Sequence, residues 1–118
     1  MPYMVVEGLA NQVTQMRRGV IAYCVLALVR EGDHYGFDLV RQLSDADSLV
    51  TSEGTIYPLL TRLRREGLVE SFWQDSPHGP PRRYYRITDD GRAVLEAFSA
   101  QWKRFTTTVD FIIEGGST

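Results

Sequence analysis

Ser52, Gly54, Thr55, Tyr57, Pro58, Thr61, Arg62 and Arg65 crowd one short run of the chain, SEGTIYPLLTRLRR. On a helical wheel of about 100° per residue, Leu59, Leu60 and Leu63 fall within about 60° of Ile56 and form an apolar stripe. Gly54, Pro58, Thr61 and Arg65 land opposite that stripe. Tyr57 and Arg64 lie on one flank, Thr55 and Arg62 on the other. The chemistry open to such a face is recognition, not catalysis. Proline costs a helix interior about 3 kcal/mol and glycine about 1, so their place away from the core points to a use outside it. Gly54 lets another backbone come close. The first turn presents free N–H groups, a seat for phosphate, after Ser52 as a side-chain N-cap. The Pro58 ring offers a flat apolar surface to a thymine methyl or a sugar. Thr61 and Arg65 can reach base edges, arginine pairing with guanine O6 and N7. The alternative is a solvated face on which Gly54 and Pro58 are neutral.

The elements that must position this face follow from periodicity and stop signals. After an arm over residues 1–10, a first helix is expected from Asn11 to Arg30, with Val13, Met16, Val20, Tyr23 and Ala27 at three- and four-residue spacing. From Val20 it is apolar on nearly every side, so that half is buried on more than one face. Gly32 ends it. HYGFDLVRQLSD reads as a shorter helix with Phe37, Val40 and Leu43 inward, and SDADSLVT as a polar link. A third helix runs from Glu53 to Glu66, with Gly67 as its stop. LVESFWQ and RRYYRIT are strand-like, joined by the turn-rich loop DSPHGPP into a hairpin. Thr88 caps a last helix whose acidic start, Asp89 and Asp90, suits its positive end. The order α-α-α-β-β-α predicts a mainly α fold with a small β-hairpin: a winged helix-turn-helix. Residues 11–88 form the winged helix, 89–114 a long C-terminal dimerisation helix and 115–118 a tail.

In the hairpin, alternation puts Tyr85 and Ile87 on the buried face and Arg82, Tyr84 and Arg86 on the other. Arg82 is then the better phosphate ligand, and Arg83 joins it only if the wing twists. His78 and Gly79 sit at the wing tip, where a protonated histidine can touch a phosphate. Alternatively, the arginines merely keep the hairpin soluble.

Leu95, Phe98, Trp102, Phe105, Val109 and Ile112 are spaced 3, 4, 3, 4 and 3, an a/d seam. A helix of about 39 Å overhangs a small domain, so the seam, with Val13, Met16 and Val20 of the first helix, predicts a homodimer. Three bulky aromatics pack poorly on their own copies. A gap lined by Phe98, Trp102 and Phe105 and closed by Met16 and Tyr23 suits a small flat aromatic or hydrophobic effector. The alternative is a filled dimer core.

Bulk properties exclude most other classes. The 118 residues suit one domain, with 43% hydrophobic and 24% charged residues. The net charge is −2, but residues 51–86 hold six arginines against four acids, a basic patch on an acidic body with Asp45, Asp47, Asp89 and Asp90 outside it. No apolar run reaches the roughly 20 residues needed to span a membrane. The first residues lack the pattern of a signal peptide, and a cytoplasmic protein is expected. The single cysteine, Cys24, excludes an intramolecular disulfide and reads as a small core residue. Cys24, His34 and His78 fall on a buried helix, a turn and the wing, so no shared metal, no cofactor and no enzyme constellation is expected.

SEGTIYPLLTRLRREGLVE followed by RRYYRITDDGR resembles the signature of PadR-family transcriptional regulators, and YCVLALV with HYGFDLVRQL is similar to that family's first two helices. The likeness runs from about Arg17 to Val109. A single C-terminal helix resembles the short subfamily. The resemblance implies a homodimeric winged-helix repressor on a palindromic double-stranded DNA operator, released in some members by an aromatic or drug-like molecule. It implies DNA contacts at Thr55, Tyr57 and nearby polar residues, with the wing on the backbone, and an effector stacked on a tryptophan that Trp102 resembles. Two prolines follow the wing glycine where one is more usual. The competing expectation is a winged-helix module that binds protein and no operator.

Overall fold

The stretch from Val20 to Val29 is enclosed on two sides. Ile21, Ala22, Val25, Leu26 and Val29 are buried, while Tyr23, Cys24, Ala27 and Leu28 pack half-buried beside them. This is the second half of α1, Tyr3–Glu31. The computed structural model describes residues 3–45 and 52–116, the side chains of 3–15 and 17 excepted. Asp47, most of the polar link and the Val13 side chain lie outside these. The helix begins at Tyr3 and not at Asn11, so residues 3–10 are a helical extension instead of a separate arm. Once a helix has nucleated, each added residue gains a hydrogen bond, and no proline interrupts residues 3–10.

β1 (His34–Tyr35), α2 (Gly36–Asp45), α3 (Glu53–Arg65), β2 (Val69–Ser76), β3 (Gly79–Ile87) and α4 (Asp89–Ile113) follow. The three strands form an antiparallel sheet in the order β1-β3-β2. β1 was not expected: two residues are too short for a periodic signal, and pairing of His34 with Tyr85 and Tyr35 with Tyr84 creates it. The core gathers the α1 stripe with Leu39, Val40 and Leu43 of α2, Ile56, Leu60 and Leu63 of α3, Val69, Tyr85 and Ile87 of the sheet, and Leu95 of α4.

Phe37 departs from expectation. It is 46% exposed, because α2 starts at Gly36 and directs Leu39, Val40 and Leu43 into the core instead. Ser52 also differs in part. It occupies the N-cap position of α3 in extended conformation, but its side chain makes no capping bond. Its carbonyl accepts from the Thr55 and Ile56 N–H groups, both at 3.0 Å.

Gly67 ends α3 with φ +76°, the left-handed region that favours glycine. The Gly67 N–H donates to Arg64 O and the Leu68 N–H to Leu63 O, each 3.0 Å, a Schellman closure. Thr88 fastens this turn to α4. Its hydroxyl donates to Gly67 O at 2.6 Å and accepts from the Gly91 N–H at 3.0 Å.

The wing is tighter than the expected loop. Ser76 pairs with Gly79 around a two-residue turn, Pro77–His78, and Gln74 pairs with Arg82. Between these pairs Pro80 and Pro81 face Asp75 alone, a bulge. Proline has no N–H to give a ladder, and a bulge asks for none. The prolines therefore sit inside the hairpin without unzipping it.

Candidate nucleic-acid interface

In α3 the buried stripe is Ile56, Leu60 and Leu63, with Leu59 half-buried. Thr55, Tyr57, Pro58, Thr61, Arg62 and Arg65 are exposed, as are Ser52 and Gly54 just before them. A Cβ at Gly54 would meet only Ser52 Oγ, at 3.7 Å, so the domain itself does not require glycine there. Pro58 lacks the N–H that would bond the Gly54 carbonyl one turn earlier. The Thr61 hydroxyl donates back to Tyr57 O at 3.2 Å.

Two open clefts flank this face. The one on the wing side, about 370 Å³, is lined by Tyr35, Gly36, Phe37, Tyr57, Thr61, Arg82, Arg83 and Tyr85. The other lies against α1, also about 370 Å³, and is lined by Arg18, Ile21, Thr55, Pro58, Leu59, Arg62 and Arg65. Arg18, Tyr35 and Gly36 escaped sequence reasoning. Only the fold brings them beside α3, and none belongs to a pattern centred on that helix.

Gly36 is one place where the second and third helices touch. The Tyr57 ring lies over it, where a Cβ would come 2.7 Å from Tyr57 Cε1. The Tyr57 phenol pKa is raised, chiefly by partial burial and then by the charge of Glu53. The hydroxyl therefore stays neutral and can both donate and accept.

The wing arginines divide by face. Arg82 lies over the Tyr35 ring, 4.7 Å from its centroid. Arg83 shares the Tyr85 face, its Nε and Nη2 donating to Ser71 Oγ at 3.1 and 2.9 Å, with the Trp73 ring centroid 5.8 Å away. Arg83 was expected to need a twisted wing. It lines the cleft because the sheet runs beyond the core, so the outer half of the buried face fronts α3. Arg86 is engaged elsewhere, with Asp33 at 3.1 Å, Glu70 at 3.8 Å and the Phe72 ring at 4.6 Å. His78 in the turn and Gly79 at the start of β3 are exposed and line neither cleft.

Residues 25–97 match the model of the transcriptional regulator PadR-like family. The chain belongs to this family. A PadR-family protein is a DNA-binding transcription regulator and not an enzyme. The chain is similar to the transcriptional regulator Rv3488 of Mycobacterium tuberculosis, 36% identical over 81 residues that span 69% of this chain and 74% of that one. Among solved structures, a PadR family transcriptional regulator from Eggerthella lenta superimposes with a TM-score of 0.82 at 34% identity, covering 96% of this chain and 98% of that one. A PadR-like regulator from Bacillus cereus gives 0.77 at 39% identity, covering 84% and 96%. The winged helix of this PadR-family chain is thus the fold expected from its sequence. No helix of its described residues is long and apolar enough to cross a membrane.

The seam of α4 is divided in its use. Leu95, expected at a dimer interface, is 5% exposed and belongs to the chain's own core, because the start of α4 lies against α1 and Thr88 fastens it to the turn at Gly67. Phe98 stacks on Tyr23 of α1, centroids 3.7 Å apart and planes 4° from parallel. Val20 and Val109 are half-buried, while Met16, Trp102, Phe105 and Ile112 are exposed, and so are Phe111 and Ile113. Between α1 and α4 runs a groove of about 390 Å³, with Val20, Tyr23, Cys24, Leu95, Phe98 and Trp102 in its lining. Met16 and Phe105, expected in an effector pocket, do not line it.

Proposed function

We propose that the protein is a homodimeric repressor that places α3 in the major groove of a palindromic operator and leaves it when a small aromatic or hydrophobic molecule binds. The observation that carries this reading is the exposed face of α3, set between two arginine-lined clefts. Tyr57, Thr61 and Arg65 contact base edges, and Ser52, Gly54, Thr55, Pro58 and Arg62 approach the bases or the backbone. Arg82 and Arg83 take phosphates from the wing side, with His78 and Gly79 at its tip.

Dimerisation is supported by the second half of α4. Trp102, Phe105, Ile112 and Ile113 line up as exposed apolar side chains, which a soluble domain seldom leaves uncovered. A twofold copy covers them, with Met16 and Val109, and sets two recognition helices about 34–36 Å apart, one DNA turn. The effector enters the groove at Tyr23, Phe98 and Trp102, which the second copy closes with Phe105 and Met16. A protein-interaction module without operator binding leaves the two arginine-lined clefts without a use.

Fluorescence anisotropy of the DNA upstream of the protein's own gene, at low and moderate salt, tests the reading. Tight, sequence-dependent binding that falls with salt is expected, and a folded Tyr57→Ala dimer should lose it. Retained binding by that variant, or no preference over random DNA, would overturn the role of α3.

A further inference from the structure

A major groove is about 12 Å wide. A helix with its side chains measures about 10–12 Å across. α3 therefore fills the groove, and a phosphate strand runs along each of its flanks. The wing serves one flank with Arg82 and Arg83. The other flank is the cleft against α1.

That cleft has an apolar floor and a basic rim. Ile21 is 3% exposed and Leu59 half-buried, while Arg18, Arg62 and Arg65 are exposed. Arg62 has a carboxylate partner, Glu66, at 3.4 Å. Arg18 and Arg65 make no ion pair among the described residues. Arg18 stands one turn before Ile21 on the same stripe of α1, so burial of Ile21 sets where the arginine emerges. Three guanidiniums around one cleft concentrate positive potential, and a guanidinium fork matches phosphate oxygens.

We infer that Arg18 holds a backbone phosphate of the DNA strand on this flank, making α1 a DNA-contacting element beside the recognition helix and the wing. The inference rests on the operator-binding reading above. It assigns α1 two faces: Tyr23 and Cys24 border the groove beneath α4, and Arg18 and Ile21 border the DNA.

The test is operator binding measured over a series of salt concentrations for the full-length wild type, Arg18→Ala and Arg18→Lys. Arg92→Ala, which removes an exposed arginine of α4 outside both clefts, controls for net charge. Each lost phosphate contact lowers the slope of log K against log[salt] by about 0.9, so Arg18→Ala should lose about 1.8 in a dimer. Its loss of affinity should be equal on operator and random DNA, since a phosphate carries no sequence. Arg18→Lys should keep most of the slope, and Arg92→Ala all of it. Arg18→Gln repeats the measurement should alanine disturb α1. A wild-type slope in folded Arg18→Ala, or an equal loss in Arg92→Ala, would overturn this inference alone. Absence of operator binding by the wild type would overturn the operator reading, and this inference with it.

Discussion

The Tyr57 ring of α3 rests on the backbone of Gly36, where a Cβ would come 2.7 Å from Cε1. The pair joins the first turn of α2 to the exposed face of α3 across 21 residues. A small residue at one helix start thereby sets the direction of an aromatic on the next. Phe37, exposed beside it and 6.3 Å from Tyr35, completes an aromatic wall to the wing-side cleft.

Gly36→Ala should move Tyr57 more than it harms the fold. The clashing atom belongs to an exposed side chain that can swing away, so the loss of stability should stay under about 1.5 kcal/mol. Operator affinity should fall at least about tenfold, equivalent to about 1.4 kcal/mol. A denaturant titration and an anisotropy titration of the same preparation separate the two effects. Unchanged affinity would mean that Tyr57 needs no fixed direction.

Gly91→Ala should do the reverse. An added Cβ would land on the Leu68 carbonyl oxygen and come 2.8 Å from Ile87 Cγ1, neither of which can swing aside. A loss of about 3 kcal/mol is expected, read as a lower urea midpoint. Thr88→Ala, which keeps the close approach but removes the cap, should cost only about 1–2 kcal/mol. Equal losses would argue that the cap, not the close packing of α4, holds the junction.

Trp102→Ala should leave operator binding intact and blunt the response to an aromatic ligand. The residue is 39% exposed and its truncation opens no core cavity in the single chain. Ligand-induced release of labelled operator, followed by anisotropy of the DNA, reads the response in both proteins, because Trp102→Ala removes one of only two tryptophans. Size-exclusion chromatography supplies the contrary outcome: a monomeric variant would make Trp102 part of a filled dimer core instead.

Cys24 should react slowly with iodoacetamide. Burial raises its thiol pKa, so at any pH below that value less thiolate is present than in an unfolded chain. The rate should climb with pH and approach that of the urea-unfolded protein only in strongly alkaline solution. Since Cys24 lines the groove, an aromatic compound bound there should slow the reaction further. A rate equal to that of the unfolded chain would show the thiol to be open to solvent.

Much of the exposed face of α3 was legible because a helix converts spacing into direction. The period of 3.6 separates Ile56, Leu60 and Leu63 from Tyr57, Thr61 and Arg65 whatever the helix packs against. Gly67 and Thr88 were equally readable, since caps depend on a few neighbouring backbone groups. Apart from β1, sequence alone also determined the order of the elements, and it pointed to the family to which the chain belongs.

Other features depend on which surfaces packing consumes, and spacing carries no trace of that. Leu95 belongs to the same seam as Trp102, yet one is buried in its own domain and the other is exposed, because the start of α4 packs into the core while its second half runs past it. Phe37 fits an inward stripe until α2 begins one residue before it. β1 exists only through its partner in β3, and Arg18 reaches the α3 cleft only because Ile21 is buried beside it. Local backbone geometry settled what each element is; long-range burial decided which of its faces remained exposed.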